Sequence, residues 1–372
     1  MDHGIYIHVP FCRSKCGYCS FYSTDDLHLI DNYIERLISD IKETFSGSEK
    51  IKADTIYFGG GTPSLLSSSL IYRIIECLHD NADINKNAEI TIEMNPEDAS
   101  ASKISGYVDA GVNRIVLGVQ TLNQKFHDTI GRSGTLCVEA VLDTFFAQSG
   151  FTRCVDLITG IPEQTPDNIK AEIDGLLKYQ PAHISAYILS IEKNTPLYKK
   201  NIRNDNFDDM QVDVFKNVIE SLINAGYDHY EISNFSLNGS RSRHNMKYWK
   251  YDPYIGFGPS SHSFYKNARY SNDMNVRDYI NSNRTSNLAD VRNESSVISE
   301  FFLTGLRLSE GLLLSDIAEK TGFHMPEVVM DRLKSLASDG KINITPDGNI
   351  SINKNYFFFA DSIIYEIVQD II

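Results

Sequence analysis

The sequence predicts an α/β fold in which about six strand–helix units close fully or partly into a barrel, followed by a small winged-helix-like module. Three observations carry this. Short apolar runs alternate with amphipathic helical patterns, polar residues recur where strands end, and the pattern changes character near Tyr279. Alternation of the first kind means right-handed βαβ units around a parallel sheet.

The apolar runs fall at residues 5–9, 55–58, 89–94, 114–119, 154–158 and 183–189. Between them lie helices. In "LHLIDNYIERLISDI", Leu27, Ile30, Ile34, Leu37, Ile38 and Ile41 recur at spacings of three and four, which is one stripe of a helix. "LIYRIIECL", "VEAVLDTFFAQ" and "IKAEIDGLLKY" repeat the pattern. "VDVFKNVIESLINAG" ends at Gly226, a residue suited to a helix C-cap. Periodicity alone leaves a closed barrel, a partial barrel and an open doubly wound sheet all standing. Polar placement helps to choose. Glu93, Gln120, Asp156 and the "GGGTPS" run sit at or just past the C-terminal ends of strands, where barrel loops build a site. A single acid there more often caps a helix. Four such positions, with a cysteine loop after the first strand, predict one shared site.

From about Tyr279, "YINSNRTSNLADVRNESS" is polar and weakly periodic, and reads as a linker. Beyond it, short helical patterns precede a hairpin around Pro346-Asp347-Gly348, the outline of a winged helix. The expected domains are therefore 1–280 and 290–372. Winged helices often bind DNA, but residues 290–372 hold 13 acids against 7 bases, so this one is expected to pack on the barrel.

Composition bounds the function. With 42% apolar and 23% charged residues over 372 positions, the chain is an ordinary globular protein. Its net charge of −14 argues against a nucleic-acid partner, which would need clustered Lys and Arg. No 18-residue apolar run predicts a membrane span, and "MDHGIYIHVPFC" lacks the basic start of a signal peptide. A cytoplasmic location is the expectation. Disulfides are rare there, so clustered cysteines read as metal ligands or catalytic thiols. Cys77, Cys137 and Cys154 stand alone in helix-like or strand-like runs and read as small buried residues.

Cys12, Cys16 and Cys19 form a C-x-x-x-C-x-x-C. Structural zinc wants four ligands, and only His8 is at hand as a fourth. A redox pair of Cys16 and Cys19 leaves Cys12 unexplained. A 4Fe–4S cluster uses three thiolates when its fourth iron stays open to a small molecule. Three is then the required number.

With Tyr18 just before the last cysteine, this loop resembles that of the radical S-adenosylmethionine superfamily. The resemblance implies a partial (β/α)6 barrel, a 4Fe–4S cluster, and S-adenosylmethionine bound to the open iron and split there to a 5′-deoxyadenosyl radical. In "YFGGGTPS", Gly60, Gly61 and Thr62 match the family's glycine-rich motif near the amino group of S-adenosylmethionine. Nucleotide-phosphate motifs are missing from this run. Tyr6, Glu93, Gln120, Arg132 and Asp156 resemble the S-adenosylmethionine contacts of the oxygen-independent coproporphyrinogen III oxidase branch.

Similarity to that branch extends over nearly the whole chain, and within it the heme chaperones match better than the oxidases. Phe21 stands where the oxidases have a fourth cysteine, and only eleven residues precede Cys12. His244-Asn245-Met246-Lys247-Tyr248-Trp249 is similar to the chaperones' H-N-x-x-Y-W heme motif. The implied function is to bind heme, a 4Fe–4S cluster and S-adenosylmethionine and to pass heme to an acceptor protein. An electron donor is also implied if S-adenosylmethionine is cleaved. The alternative is a radical enzyme acting on a porphyrin-type substrate, either a coproporphyrinogen III oxidase or a heme-modifying methyltransferase. His244 is the expected heme ligand and Met246 a weaker one. Tyr248, Trp249 and Tyr251 are the expected walls, and Arg241, Arg243, Lys247 and Lys250 the cations for the propionates. His262 and His8 are rival ligands. Pro259-Ser260-Ser261-His262-Ser263 departs from the chaperones' G-A-H-S but keeps His262.

Overall fold

Six strands run parallel in chain order: β1 (His3–Val9), β2 (Lys52–Gly60), β3 (Asp83–Met94), β4 (Arg114–Gln120), β5 (Thr152–Thr159) and β6 (His183–Ile188). This computed structural model describes residues 2–47, 50–132, 137–200, 202, 207–272, 275–282, 287–288 and 292–371. Between the strands lie α1 (Ile30–Thr44), α2 (Ser68–Asn81), α3 (Ala101–Asp109), α4 (Gln124–Thr129), α5 (Val138–Phe146) and α6 (Pro166–Leu177). Two short helices of this set, α3 and α4, carry too few periodic residues to be read from sequence.

Strand alternation sorts the side chains. In β1, Ile5, Ile7 and Val9 are fully buried and join one core with Ile34, Leu37 and Ile41 of α1, Ile56 and Phe58 of β2, and Ile71 and Ile74 of α2. Each such side chain contributes about 1.5–3 kcal/mol on leaving water, which is what presses the helices onto the sheet. The alternate residues of the same strands, Tyr6, Tyr57, Glu93 and Asp156, are polar. With period two, one register supplies a hydrophobic outer layer and a polar interior.

The sheet continues past the six units on both sides. After α7 (Pro196–Lys199) and α8 (Phe207–Asn224), β8 (Asn234–Ser236) pairs antiparallel with β6, and β7 (Asp228–Glu231) pairs antiparallel with β8 at its far side. After α9 (Arg243–Trp249), β9 (Tyr254–Phe257) returns to lie parallel to β1. It is followed by β10 (His262–Tyr265), β11 (Ala268–Ser271) and the two-residue β12 (Asn287–Leu288), all antiparallel. The twelve strands run β12-β11-β10-β9-β1-β2-β3-β4-β5-β6-β8-β7, with β12 and β7 at the two ends of the order. These extra strands are four residues or fewer, too short for alternation to mark them.

The stretch read as a linker contains the end of α10 (Val276–Asn281) and β12, while 283–286 and 289–291 lie outside the described residues. Beyond it come α11 (Glu294–Gly305), β13 (Leu312–Leu313), α12 (Ser315–Thr321), α13 (Glu327–Ser338), β14 (Ile342–Ile344), β15 (Asn349–Ile352) and α14 (Ala360–Val368). A second hydrophobic core built mainly from these elements also takes in Tyr251 and Phe264. Arg307 caps the Trp249 ring at 4.6 Å. No helix among the described residues is long and apolar enough to cross a membrane.

Candidate functional site

Residues 10–26, after β1, form the cysteine loop, and the body of the protein holds it at several points. Cys12 and Thr24 bridge across its neck (N–H to carbonyl 3.0 Å), and the Gly17 N–H reaches the Ile130 carbonyl at 3.0 Å. The Leu197 N–H returns to the Gly17 carbonyl at 2.8 Å, and Arg13 reaches the buried carboxylate of Asp98 at 2.6 Å. Gly17 has no room for a side chain, since a Cβ there would sit 2.7 Å from the Ile130 carbonyl oxygen. A loop pinned this way is preorganised before any ligand arrives.

Beneath the loop, at the C-terminal ends of the strands, is a cavity of about 470 Å³, in the range of small-molecule sites. Cys12, Cys16 and Cys19 line it together with Gly60, Gly61, Thr62, Glu93, Gln120, Arg132 and Asp156. Of the expected S-adenosylmethionine contacts only Tyr6 is missing from the lining. Its hydroxyl meets His8 Nδ1 at 3.1 Å and its ring stacks on Tyr57. Tyr57 in turn donates to Glu93 Oε1 at 2.8 Å, so Tyr6 supports the wall from one layer down.

The backbone is bent to build this wall. Gln120 adopts a left-handed φ of 69° where the β4–β5 register breaks. Gly118 leaves it space, as a Cβ there would come within 2.9 Å of Gln120 Nε2. Non-glycine residues occupy this region at a cost and persist only where the surroundings hold them. At Gly61 a Cβ would lie 2.7 Å from the Phe11 carbonyl oxygen, so the glycine-rich turn runs directly against the cysteine loop.

A chain of polar contacts joins thiol to cavity. Thr62 donates to Cys12 Sγ at 3.4 Å, Asn95 Nδ2 to Thr62 Oγ1 at 3.4 Å, and Arg132 to Asn95 Oδ1 at 3.1 Å. Asn95 is a cavity residue that sequence reading passed over, although it lies two positions after Glu93. Its signal was its place just past a strand end.

Charge in the cavity is poised. Burial pushes Glu93 up to about 7, and the carboxylate of Asp156 adds to it; the Tyr57 hydroxyl and the Gly60 N–H only partly offset this. Burial likewise lifts Asp156 to about 6 against a hydrogen bond from Ser185 and the charge of Arg114. Among the described residues, Asp156 Oδ1 is buried with no hydrogen-bond partner. A buried acceptor left open in a cavity fits a ligand that brings hydroxyl or ammonium donors. Burial raises the Cys16 and Cys19 thiols, and the neighbouring cysteines raise them further, while Arg132 pulls Cys16 back and Lys15 pulls Cys19.

Three thiols against this cavity suit a cluster better than zinc. No three His, Cys, Asp or Glu side chains among the described residues meet closely enough to hold one metal ion. An iron–sulfur cube takes its thiolates at separate corners, so they need not converge. His8 does not serve as a fourth ligand, because its nitrogens face Tyr6 Oη and the Tyr22 carbonyl.

Sequence profile and relatives agree with this geometry. Residues 6–176 match the profile of the Radical SAM superfamily. Over 96% of this chain and 98% of its own length, "Heme chaperone HemW" of Buchnera aphidicola subsp. Schizaphis graminum is 30% identical. The chain belongs to the HemW group of the radical SAM superfamily. Another HemW protein, from Lactococcus lactis, is 34% identical over 85% of this chain and 84% of its own. In fold, the structure of coproporphyrinogen III oxidase (HemN) from Escherichia coli matches with a TM-score of 0.82 over 99% of this chain and 90% of that one, at 19% identity. Membership in the radical SAM superfamily brings a 4Fe–4S cluster and S-adenosylmethionine as cofactors.

The HemW-type motif at 244–249 departs from expectation. His244 is buried at the opposite, N-terminal end of the strands, with Nδ1 on Thr55 Oγ1 at 2.8 Å and Nε2 on Tyr248 Oη at 2.8 Å. Its ring stacks 5.1 Å from Tyr57, and burial depresses it to about 3, with Lys247 adding to the effect. Neither nitrogen is open to a metal. The expected propionate cations are engaged too: Arg241 with Asp228 and Glu310, Arg243 and Lys247 with Asp54, and Lys250 with Glu310. Sequence read the right polar and aromatic residues but could not tell a barrel plug from a ligand site. A second correction concerns Cys137, which is exposed at the N-cap of α5, whereas Cys77 and Cys154 are buried.

Proposed function

We propose that this chain is a heme chaperone that carries its 4Fe–4S cluster on Cys12, Cys16 and Cys19, binds S-adenosylmethionine in the adjoining cavity, and passes heme to an acceptor protein. The observation that carries this reading is the 30% identity, over 96% of the chain, to a protein named as a heme chaperone. Phe21, in place of a fourth cysteine, supports it against an oxidase.

The residues divide the work. Asp156 accepts from ligand hydroxyls through its open Oδ1, and Glu93, once ionised, faces the ligand's positive charge. Gln120 and Arg132 line the cavity, with Arg132 held by Asn95 and close to Cys16. Gly60 and Gly61 bring backbone close to the cluster loop, and Tyr6 acts through Tyr57 and His8. Thr62 turns toward Cys12 and so serves the cluster more than the nucleoside. Held by Cys12, Cys16 and Cys19, the cluster would supply one-electron reducing power to a ligand in the adjoining cavity. The proposed organisation is a partial barrel over 1–280 and a winged-helix-like domain over 290–372, acting in the cytoplasm with protein partners as heme acceptor and electron donor.

Heme transfer tests the proposal. Heme-loaded protein is mixed with increasing amounts of a heme-free acceptor protein. A chaperone hands over heme at a rate that rises with acceptor concentration and then saturates. A rate equal to spontaneous heme loss at every acceptor concentration would remove the chaperone function.

A further inference from the structure

The heme-chaperone reading needs an axial ligand, and the histidine of the H-N-x-x-Y-W motif is sealed in the opposite end of the barrel. Of the ten histidines, only His28, His79, His262 and His324 are exposed. Resting on that reading, we propose that heme iron is ligated by His262, at the cluster end of the barrel, with the porphyrin lying against Phe21 and a propionate on Lys15.

His262 opens β10 directly after the turn that follows β9. Because β9 is parallel to β1, with Ile7 opposite Phe257, this turn and the cysteine loop leave the sheet at the same end. His8 lies between the two, its carbonyl against Gly258 of the turn and its ring against the loop. His8 takes the Tyr22 carbonyl at 3.4 Å and is depressed to about 4 by burial, with the nearby His262 adding to the effect. His262 is therefore at the end of the sheet from which the loop carrying Phe21 and Tyr22 departs.

The turn beneath His262 is a fixed frame. Ser261 Oγ donates to the Gly258 carbonyl at 2.7 Å, Asn272 Nδ2 donates to the same carbonyl at 3.0 Å, and both side chains are buried. Gly258 has a φ of 91°, and a Cβ there would lie 2.5 Å from the His8 carbonyl oxygen. An exposed imidazole on a buried, hydrogen-bonded turn loses little freedom when it takes a metal, the condition a ligand residue should meet. Among the described residues its ring makes no hydrogen bond that heme would have to break.

The wall and the cation are adjacent. Phe21 is 66% exposed, more than any other large hydrophobic residue described, which costs free energy until something apolar covers it. Lys15 Nζ sits 3.1 Å from the Phe21 carbonyl oxygen and is itself exposed, so a carboxylate beside that ring meets a cation. Imidazole, aromatic face and ammonium together are what a ferric porphyrin with propionates requires. Lys15 and Phe21 also line the S-adenosylmethionine cavity, which places heme and cluster on one rim.

Titration of cluster-loaded protein with ferric heme tests this, using His262→Ala, Phe21→Ala, His244→Gln, His28→Ala and His324→Ala, each checked for retained iron–sulfur absorbance. The expected result is at least a tenfold loss of affinity and a lost imidazole-type Soret band in His262→Ala, with the band restored by free imidazole. Phe21→Ala should weaken binding and keep the band, while His28→Ala, His324→Ala and His244→Gln keep both. Wild-type binding with an unchanged His262→Ala spectrum, or a band lost instead in one of the other histidine variants, overturns the ligand and leaves the chaperone reading intact. Wild type that binds no heme overturns both.

Discussion

Thr62 donates its hydroxyl to the sulfur of Cys12 across 3.4 Å, and Asn95 and Arg132 continue the chain into the cavity. Hydrogen bonds to a cluster thiolate favour the more negative, reduced state and so raise the reduction potential. Thr62→Val keeps the shape and removes the donor. A redox titration of the reconstituted cluster should show its potential lowered by on the order of tens of millivolts. An unchanged potential would mean that this hydroxyl turns away once the cluster is bound.

The cysteines should separate cleanly. Anaerobic reconstitution of wild type should give about four iron per chain. Cys12→Ala, Cys16→Ala and Cys19→Ala should each lose the cluster. Cys137→Ala, although exposed, and Cys77→Ala should keep it. Iron and sulfide analysis reads this directly, and stoichiometric zinc without iron–sulfur absorbance would contradict it.

Much of this was legible in the sequence, because it rests on short-range pattern. Short apolar runs located the six parallel strands, helical spacing located the helices between them, and strand ends marked where Glu93, Gln120 and Asp156 would form the site. What stayed hidden depends on long-range partners. His244 is neighboured by Thr55, 189 residues away, and no local pattern announces that contact. The same holds for β9, which returns some two hundred and fifty residues later to lie beside β1 and brings His262 to the cluster end.

S-adenosylmethionine binding should depend on pH. Glu93 near 7 and Asp156 near 6 lie above ordinary carboxylates, so the folded chain holds protons that the unfolded chain has already released. The apoprotein therefore loses stability as pH rises through that range. The ligand is cationic and prefers the ionised carboxylates, which titrate as a coupled pair. The thermal shift produced by S-adenosylmethionine should be larger at about pH 8 than at about pH 5.5. Glu93→Gln should flatten the profile, and a pH-independent shift in wild type would count against these roles.

His244→Ala should act on stability first. The change empties a buried site and strands Thr55 and Tyr248, at a cost of about 2–4 kcal/mol. Urea unfolding should show the loss with the three-thiol cluster still loadable. Undiminished stability would argue that His244 is not the barrel plug described.

The most direct measurement is a parallel assay of the reconstituted wild-type protein with ferric heme and with coproporphyrinogen III, in the presence of S-adenosylmethionine and reductant. The chaperone reading predicts a saturable Soret change near about one heme per chain and no oxidised product. Product from coproporphyrinogen III, without saturable heme binding, would contradict it and make the protein a porphyrinogen enzyme.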